Sequence, residues 1–265
     1  MTEKITVNTL KQMKSSGEKI ACLTSYDASF ARLQDEAGVD LLLVGDSLGM
    51  VLHGEETTLN VTMTDMVYHT RLVSSACQRA IVVSDMPVNS YTSPALGLEN
   101  ATRLIDEGGA DVVKLEGGEE ICETVALITE KGAPVCGHLG LMPQSINTIG
   151  GYHVQAKTEE AVNKLKQDAL ALQKAGAVCL VLECIPATVA ADVTQLLDIP
   201  VIGIGAGSDC DAQVLVVYDM LGLTDKQLKF SKNFLVGNDS IADAIKAYVT
   251  EVKNKSFPSS EHSFT

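Results

Sequence analysis

Eight short apolar runs, spaced along the chain, constrain its fold more than any other feature. They are IACLTS from Ile20, VDLLLVGD from Val39, AIVVSDM from Ala80, ADVVKLEG from Ala110, APVCGHLG from Ala133, AVCLVLEC from Ala177, IPVIGIGAG from Ile199 and VLVVYDM from Val214. They are rich in β-branched residues and lack polar alternation, the pattern of strands buried on both faces. Longer amphipathic stretches separate them. Phe30, Leu33 and Ala37 mark one helix, closed by Gly38. Thr64 can cap the next, with Met66, Val67, Thr70 and Val73 on one side. Ser93 and Pro94 form an N-cap and N1 pair before Ala101, Leu104 and Ile105. Val162, Leu165, Ala169 and Leu172 mark another, ended by Gly176. Residues 239–252 read as an outer helix with Ile241, Ile245, Tyr248 and Val252 on one face. Gly38, Gly109, Gly132 and Gly176 each sit where a helix gives way to a strand, a weak repeat of one joint.

Strand and helix alternating eight times imply an α/β protein with a parallel sheet, and a closed (βα)8 TIM barrel is its natural form. An open doubly wound sheet is the alternative. The last two strands lie close together, with room for about one helical turn near residues 209–213. No Ser/Gly/Pro-rich linker divides the 265 residues. The expectation is therefore one barrel domain over 1–265, with an N-terminal helix and a short C-terminal extension. Residues from about Lys255 look extended or loose.

Composition narrows the function classes. An apolar share of 46% excludes a disordered chain. The net charge of −14 argues against nucleic acid or an anionic membrane as partner, although most acidic excess only solvates a surface. The polar start is no signal peptide, and no run approaches the ~18 apolar residues of a membrane span. The seven cysteines are scattered, without a CxxC pair, as expected for buried reduced thiols of a cytoplasmic protein.

The strands end in chemistry. The second is followed by Asp46 and Ser47, and the third ends at Asp85. The fourth carries Lys114 and ends at Glu116. His138 and Glu183 end the fifth and sixth, and a GIGAG loop, 203–207, ends the seventh. A parallel barrel gathers all these ends at one mouth, where barrel active sites lie. Asp46, Asp85 and Glu116 would then crowd three carboxylates together, and like charges raise one another's pKa unless something neutralises them. A hard divalent cation such as Mg²⁺ does so. Each residue also has a structural reading. Asp46 and Asp85 can cap turns, Glu116 can be a solvated loop acid, Lys114 can make an internal ion pair, and His138 can be a packed histidine. Glu183 follows a fully apolar run, where burial would raise its pKa toward the general-base range. The glycine loop suits phosphate or merely a tight turn.

The residues carrying this chemistry lie in LTSYD at 23–27, LLVGDSLGM at 42–50, VVKLEGG at 112–118, VCGHLGLMPQSIN at 135–147, GGYHVQ at 150–155, LVLECIP at 180–186 and IPVIGIGAG at 199–207. Together, in order, they resemble the ketopantoate hydroxymethyltransferase family, from about Val7 to the EHSF at 261–264. The resemblance implies a (βα)8 barrel of the phosphoenolpyruvate mutase/isocitrate lyase-like group. It implies a cytosolic homodecamer, two pentamer rings built as a pentamer of dimers. It implies transfer of a hydroxymethyl group from 5,10-methylenetetrahydrofolate to 3-methyl-2-oxobutanoate, giving 2-dehydropantoate for pantothenate and coenzyme A synthesis. Carried over by motif, Asp46 and Asp85 bind Mg²⁺, and Glu116 holds it directly or through water. Ser47 and Lys114 bind the keto acid's carboxylate, and Asp46 and Asp85 also count among the substrate-binding residues. Glu183 is the base. Tyr26 and His138 lie at the same end. Val88, His153 and Ala156 depart from the residues common in the family. The alternatives are a Mg²⁺-dependent 2-oxo acid lyase or mutase of the same group, a catalytically dead barrel that senses a small molecule, and a phosphate-binding barrel.

Overall fold

The computed structural model describes residues 3–224 and 227–265. Eight parallel strands close into a barrel in chain order. They are β1 Ile20–Thr24, β2 Leu41–Val44, β3 Ile81–Asp85, β4 Val112–Glu116, β5 Val135–Gly140, β6 Cys179–Glu183, β7 Val201–Ile204 and β8 Ala212–Leu215. β1 closes the ring by pairing with β8, so the closed form holds and the open sheet does not.

Side chains on a strand alternate between its two faces, so each strand feeds two separate apolar layers. Leu42, Val82, Val113, Leu115, Leu180 and Leu182 pack outward with the helices. Cys22, Leu41, Ile81, Val112, Cys136 and Cys179 form the barrel interior. Ile5, Leu10 and Met13, on or beside the first helix Val7–Ser16, join that interior cluster and plug its lower end. The thiols are unpaired and most are buried, as the sequence suggested.

The helices between strands follow the expected stretches, with differences of physical interest. The helix Met63–Ala76 is capped by Thr62, not Thr64. Thr62 and Asp65 form a reciprocal capping box, which satisfies two free N-terminal N–H groups instead of one. The four glycine joints hold, with φ of 91° at Gly38, 74° at Gly109, 92° at Gly132 and 107° at Gly176. The eighth strand starts two residues early, and the run read as its end turns helical at Val217–Met220. Between β7 and β8 there is no helical turn. Gly205 and Gly207 take left-handed φ of 62° and 82°, and Lys19 Nζ binds the carbonyls of Ser208 and Cys210. The left-handed φ values at Gly205 and Gly207 break the path of a right-handed helix.

The outer helix is Ile241–Lys253. It buries Ile245, Tyr248 and Val252 but leaves Ile241 exposed at its first position. Residues after Lys255 are not loose. Phe257 is buried, and the short turn Ser260–His262 lays the chain back across the barrel mouth, where the Ala187 amide donates to the Phe264 carbonyl at 2.9 Å.

Candidate active site

Alternation also decides which polar side chains enter the barrel. Val83 faces inward, so Asp85 two residues on does too. The same parity carries Lys114 and Glu116 above Val112, His138 above Cys136, and Glu183 above Val181. Register then sets neighbours: Asp85 lies beside Lys114, and Glu116 beside His138.

The sequence-predicted residues come together. Lys114 Nζ is 3.0 Å from Asp85 Oδ1 and 3.9 Å from Glu116 Oε1. His138 Nδ1 is 3.3 Å from Glu116 Oε1, and its Nε2 is 3.4 Å from Glu183 Oε2. Asp85 Oδ2 accepts the Asp46 backbone N–H at 2.9 Å. Ser47 Oγ shares a 2.8 Å hydrogen bond with Tyr26 Oη. A Cβ on Gly45 would stand 2.7 Å from Ser47 Oγ, so only glycine lets that hydroxyl fold in beside Asp85. Asp46, Asp85, Lys114, Glu116 and His138 are buried. Glu183 is not sealed in as its apolar run suggested, because 14% of its side chain stays open to the cavity.

The electrostatics follow from four carboxylates facing two cationic groups, Lys114 and His138. Burial and the charges of Asp85 and Glu116 push the Asp46 carboxyl well above its ordinary range. Burial opposes charge on Lys114, but Asp85, Glu116 and Asp46 outweigh it and hold the ammonium on. Burial and the Lys114 charge lower His138, yet Glu116 and the hydrogen bonds to Glu116 and Glu183 raise it to about 9. Glu116 in turn is held low against its burial by His138 and Lys114. Asp85 Oδ1 and Glu116 Oε1 are buried without an aligned donor.

Sequence reasoning missed Gln144. Its side-chain amide donates to Asp46 Oδ2 and to the Met86 carbonyl, both at 2.9 Å, and its backbone N–H donates to Glu116 Oε2 at 3.0 Å. Tyr91 Oη binds its amide oxygen. One loop residue thus ties Asp46 to Glu116. The only signal was its place in MPQ, six residues after His138. Ala156, where the resemblance expects Gly, has a left-handed φ of 52°, a conformation that costs a residue with a Cβ roughly 1–2 kcal/mol.

The mouth opens into a cavity of about 770 Å³. Asp85, Lys114, His138 and Glu183 line its floor, Ser47 its side, and Tyr152 and His153 its rim. Among the described residues no set of three His, Cys, Asp or Glu side chains stands as a ready metal-ligand group. None of their helices is long and apolar enough to cross a membrane.

Comparison with known proteins gives one consistent answer. Residues 4–260 match the family model described as ketopantoate hydroxymethyltransferase. A 3-methyl-2-oxobutanoate hydroxymethyltransferase of Methylococcus capsulatus is 53% identical over 264 residues, covering 100% of this chain and 98% of that protein. One of Nitrosococcus oceani is 53% identical over 262 residues, covering 98% and 99%. Among solved structures, phosphonopyruvate hydrolase aligns with a TM-score of 0.62 at 14% identity over 84% of each chain. 2,3-Dimethylmalate lyase, a member of the PEP mutase/isocitrate lyase superfamily, aligns with 0.60 at 19% identity over 83% of each. These last two likenesses concern the fold.

Proposed function

The chain belongs to the ketopantoate hydroxymethyltransferase family, and from that premise we propose how its barrel mouth carries out the reaction. The protein is an enzyme that adds a hydroxymethyl group to 3-methyl-2-oxobutanoate, the step named for its relatives and belonging to pantothenate synthesis. The family implies 5,10-methylenetetrahydrofolate as the one-carbon donor.

The donor set fits Mg²⁺. The ligand atoms are hard carboxylate oxygens, two of them buried beside a cationic group but without an aligned hydrogen bond, and the surplus of two carboxylates over two cationic groups matches a divalent ion. Asp46 and Asp85 would hold it, and Glu116 would do so directly or through water. When bound, Mg²⁺ supplies Lewis-acid stabilisation of negative charge developing on the keto oxygen.

The chain's own residues do the rest. The Lys114 ammonium, kept charged by its neighbours, and the Ser47 hydroxyl fix the substrate carboxylate. That orientation aims C3–H at Glu183, which takes the proton as general base. Its opening to the cavity gives the carboxylate access to substrate. The C3 carbanion then bonds to the donor's methylene carbon as one of its two C–N bonds breaks, and that nitrogen takes the proton removed from C3. Water displaces the second nitrogen, giving its hydroxyl to the carbon and its proton to the nitrogen, so tetrahydrofolate leaves. His138, 3.4 Å from Glu183 and 3.3 Å from Glu116, helps to hold Glu183 in place. The observation that carries these roles is the convergence of Lys114, His138 and Glu183 on the cavity floor. The protein is further read as a cytosolic homodecamer, on the family resemblance, and its mass in solution tests that.

The test is a coupled assay with methylenetetrahydrofolate and 3-methyl-2-oxobutanoate, run against pyruvate and 2-oxobutanoate. Turnover should be confined to the branched substrate and should vanish after chelation. Full turnover in EDTA would remove Mg²⁺ from the scheme.

A further inference from the structure

Carboxylates that are to share one cation must be held and aimed before it arrives. At the barrel mouth burial and repulsion work against that. Burial, and then the charges of Asp85 and Glu116, push the Asp46 carboxyl upward. One neutral side chain spans the gap. Gln144 sits in the turn Pro143–Ser145, just after β5, and meets groups from the ends of three other strands. Its Nε2 donates to Asp46 Oδ2, beyond β2, and to the Met86 carbonyl, beyond β3, both at 2.9 Å. Its backbone N–H donates to Glu116 Oε2, at the end of β4, at 3.0 Å.

The amide fits in one orientation only. Its Nε2 faces two acceptors, and its Oε1 faces the Tyr91 hydroxyl. Turned over, it would set its oxygen against the Asp46 carboxylate and the Met86 carbonyl, with no donor between them. Tyr91 is itself held in place. Its Oη accepts the Glu116 backbone N–H at 3.4 Å, and Asn100 Nδ2 pins the same loop by donating to the Ser90 carbonyl at 2.8 Å. Neutrality matters as much as geometry. A lysine at this position would cancel part of the surplus charge that matches a divalent ion, and a glutamate would add to the repulsion. An amide fixes both carboxylates and discharges neither. Asp46 Oδ1 and Glu116 Oε1 are left over, and Glu116 Oε1 is the atom buried beside His138 without an aligned hydrogen bond.

We propose that Gln144 is a positioning residue of the metal site: its side-chain and backbone N–H groups hold one oxygen each of Asp46 and Glu116, and so preset the other oxygen of each for Mg²⁺. The inference rests on the Mg²⁺ reading of the barrel mouth. Groups that orient metal ligands without touching the metal set how much order the ligands must lose on binding it, and so set the affinity.

The experiment titrates Mg²⁺ by calorimetry, without substrates, into the whole protein and into Gln144→Ala and Gln144→Met. The methionine keeps the length of the side chain and loses its hydrogen bonds. Thermal melting without metal checks that each variant is folded. The parent should bind Mg²⁺, and both variants should bind it about 10–100-fold more weakly. Deuterium exchange at C3 of the keto acid gives a second readout. In both variants it should be slow at low Mg²⁺ and return toward the parent's rate as Mg²⁺ is raised. If Gln144→Met binds Mg²⁺ as tightly as the parent, the amide does not position the site. If exchange stays slow at saturating Mg²⁺, Gln144 acts on the substrate and not through the metal. If the parent itself binds no Mg²⁺, it is the metal reading that fails.

Discussion

The two ends of the barrel both bury charge and use it in opposite ways. At the lower end Asp40 is fully buried, yet it meets Arg79 at 2.7 Å and Lys253 at 2.6 Å and accepts the Ala21 amide at 3.0 Å. Asp35 accepts the backbone N–H groups of Gln78, Arg79 and Ala80. Lys14 pairs with Asp211 and Lys4 with Asp111. Each charge there ties one element to another: Lys253 joins the last helix to the residue before β2. At the mouth, four carboxylates share Lys114 and His138, and Asp85 Oδ1 and Glu116 Oε1 are buried without an aligned hydrogen bond. One end is matched to hold the fold. The other is left unbalanced, and the proposed cation and the proposed base Glu183 would both draw on that imbalance.

Breaking each end should therefore break different things. The largest effect belongs to Glu183→Gln. Loss of the base should cut deuterium exchange at C3 of the keto acid, measured with Mg²⁺ and no folate, by roughly 10²–10⁴-fold. Exchange at the parent's rate would show that another group takes the proton. Next is Asp40→Ala. It strands Arg79 and Lys253, each about a quarter exposed, so partial hydration keeps the cost near the low end for a broken buried pair, about 3 kcal/mol. Denaturant unfolding reads this, and Mg²⁺ affinity should not change. Smaller and opposite in sign is Asp46→Asn. Removing one of the crowded carboxylates should stabilise the metal-free protein by about 1 kcal/mol while abolishing Mg²⁺ binding. A destabilised Asp46→Asn would mean that the mouth is as well matched as the base.

The asymmetry was only half legible in the sequence. The ends of the apolar runs placed Asp85, Lys114, Glu116, His138 and Glu183 together, because a parallel barrel gathers all its C-terminal strand ends at one mouth. The matching of charge was not legible. Asp40 and Lys253 are 213 positions apart, and nothing local says that they meet. Gln144 was missed because it lies in the short turn Pro143–Ser145, whose path no periodicity fixes. The end of VLVVYDM was misread for a related reason, since it reads as strand but is helical from Val217. A short apolar run does not distinguish the two by pattern alone. The Thr62 cap, by contrast, was readable: T-x-x-D at 62–65 is a capping-box pattern, and the neighbouring Thr64 obscured it. The C-terminal tail has too few apolar residues to look structured. Phe264 becomes ordered only because Gly205 leaves room for its ring.

The smallest effect tests the lower end by pH. Burial alone would raise the Asp35 carboxyl, but hydrogen bonds from the Ala80, Gln78 and Arg79 amides and from the Cys77 thiol outweigh it and hold the pKa below its ordinary value. A carboxylate lowered on folding stabilises the protein fully above its unfolded pKa, near 3.9, and that contribution fades as pH falls through the folded pKa. Asp35 is half-buried, so screening by water keeps its share modest. Asp35→Asn should therefore be less stable than the parent at pH 7, and the gap should narrow below about pH 4, where the parent's carboxylate protonates. Unfolding in urea at a series of pH values reads the gap. A gap that stays constant down to pH 2 would mean that the three amides bind the asparagine oxygen as well as they bind the carboxylate. Asp35 would then hold its turn by shape and not by charge.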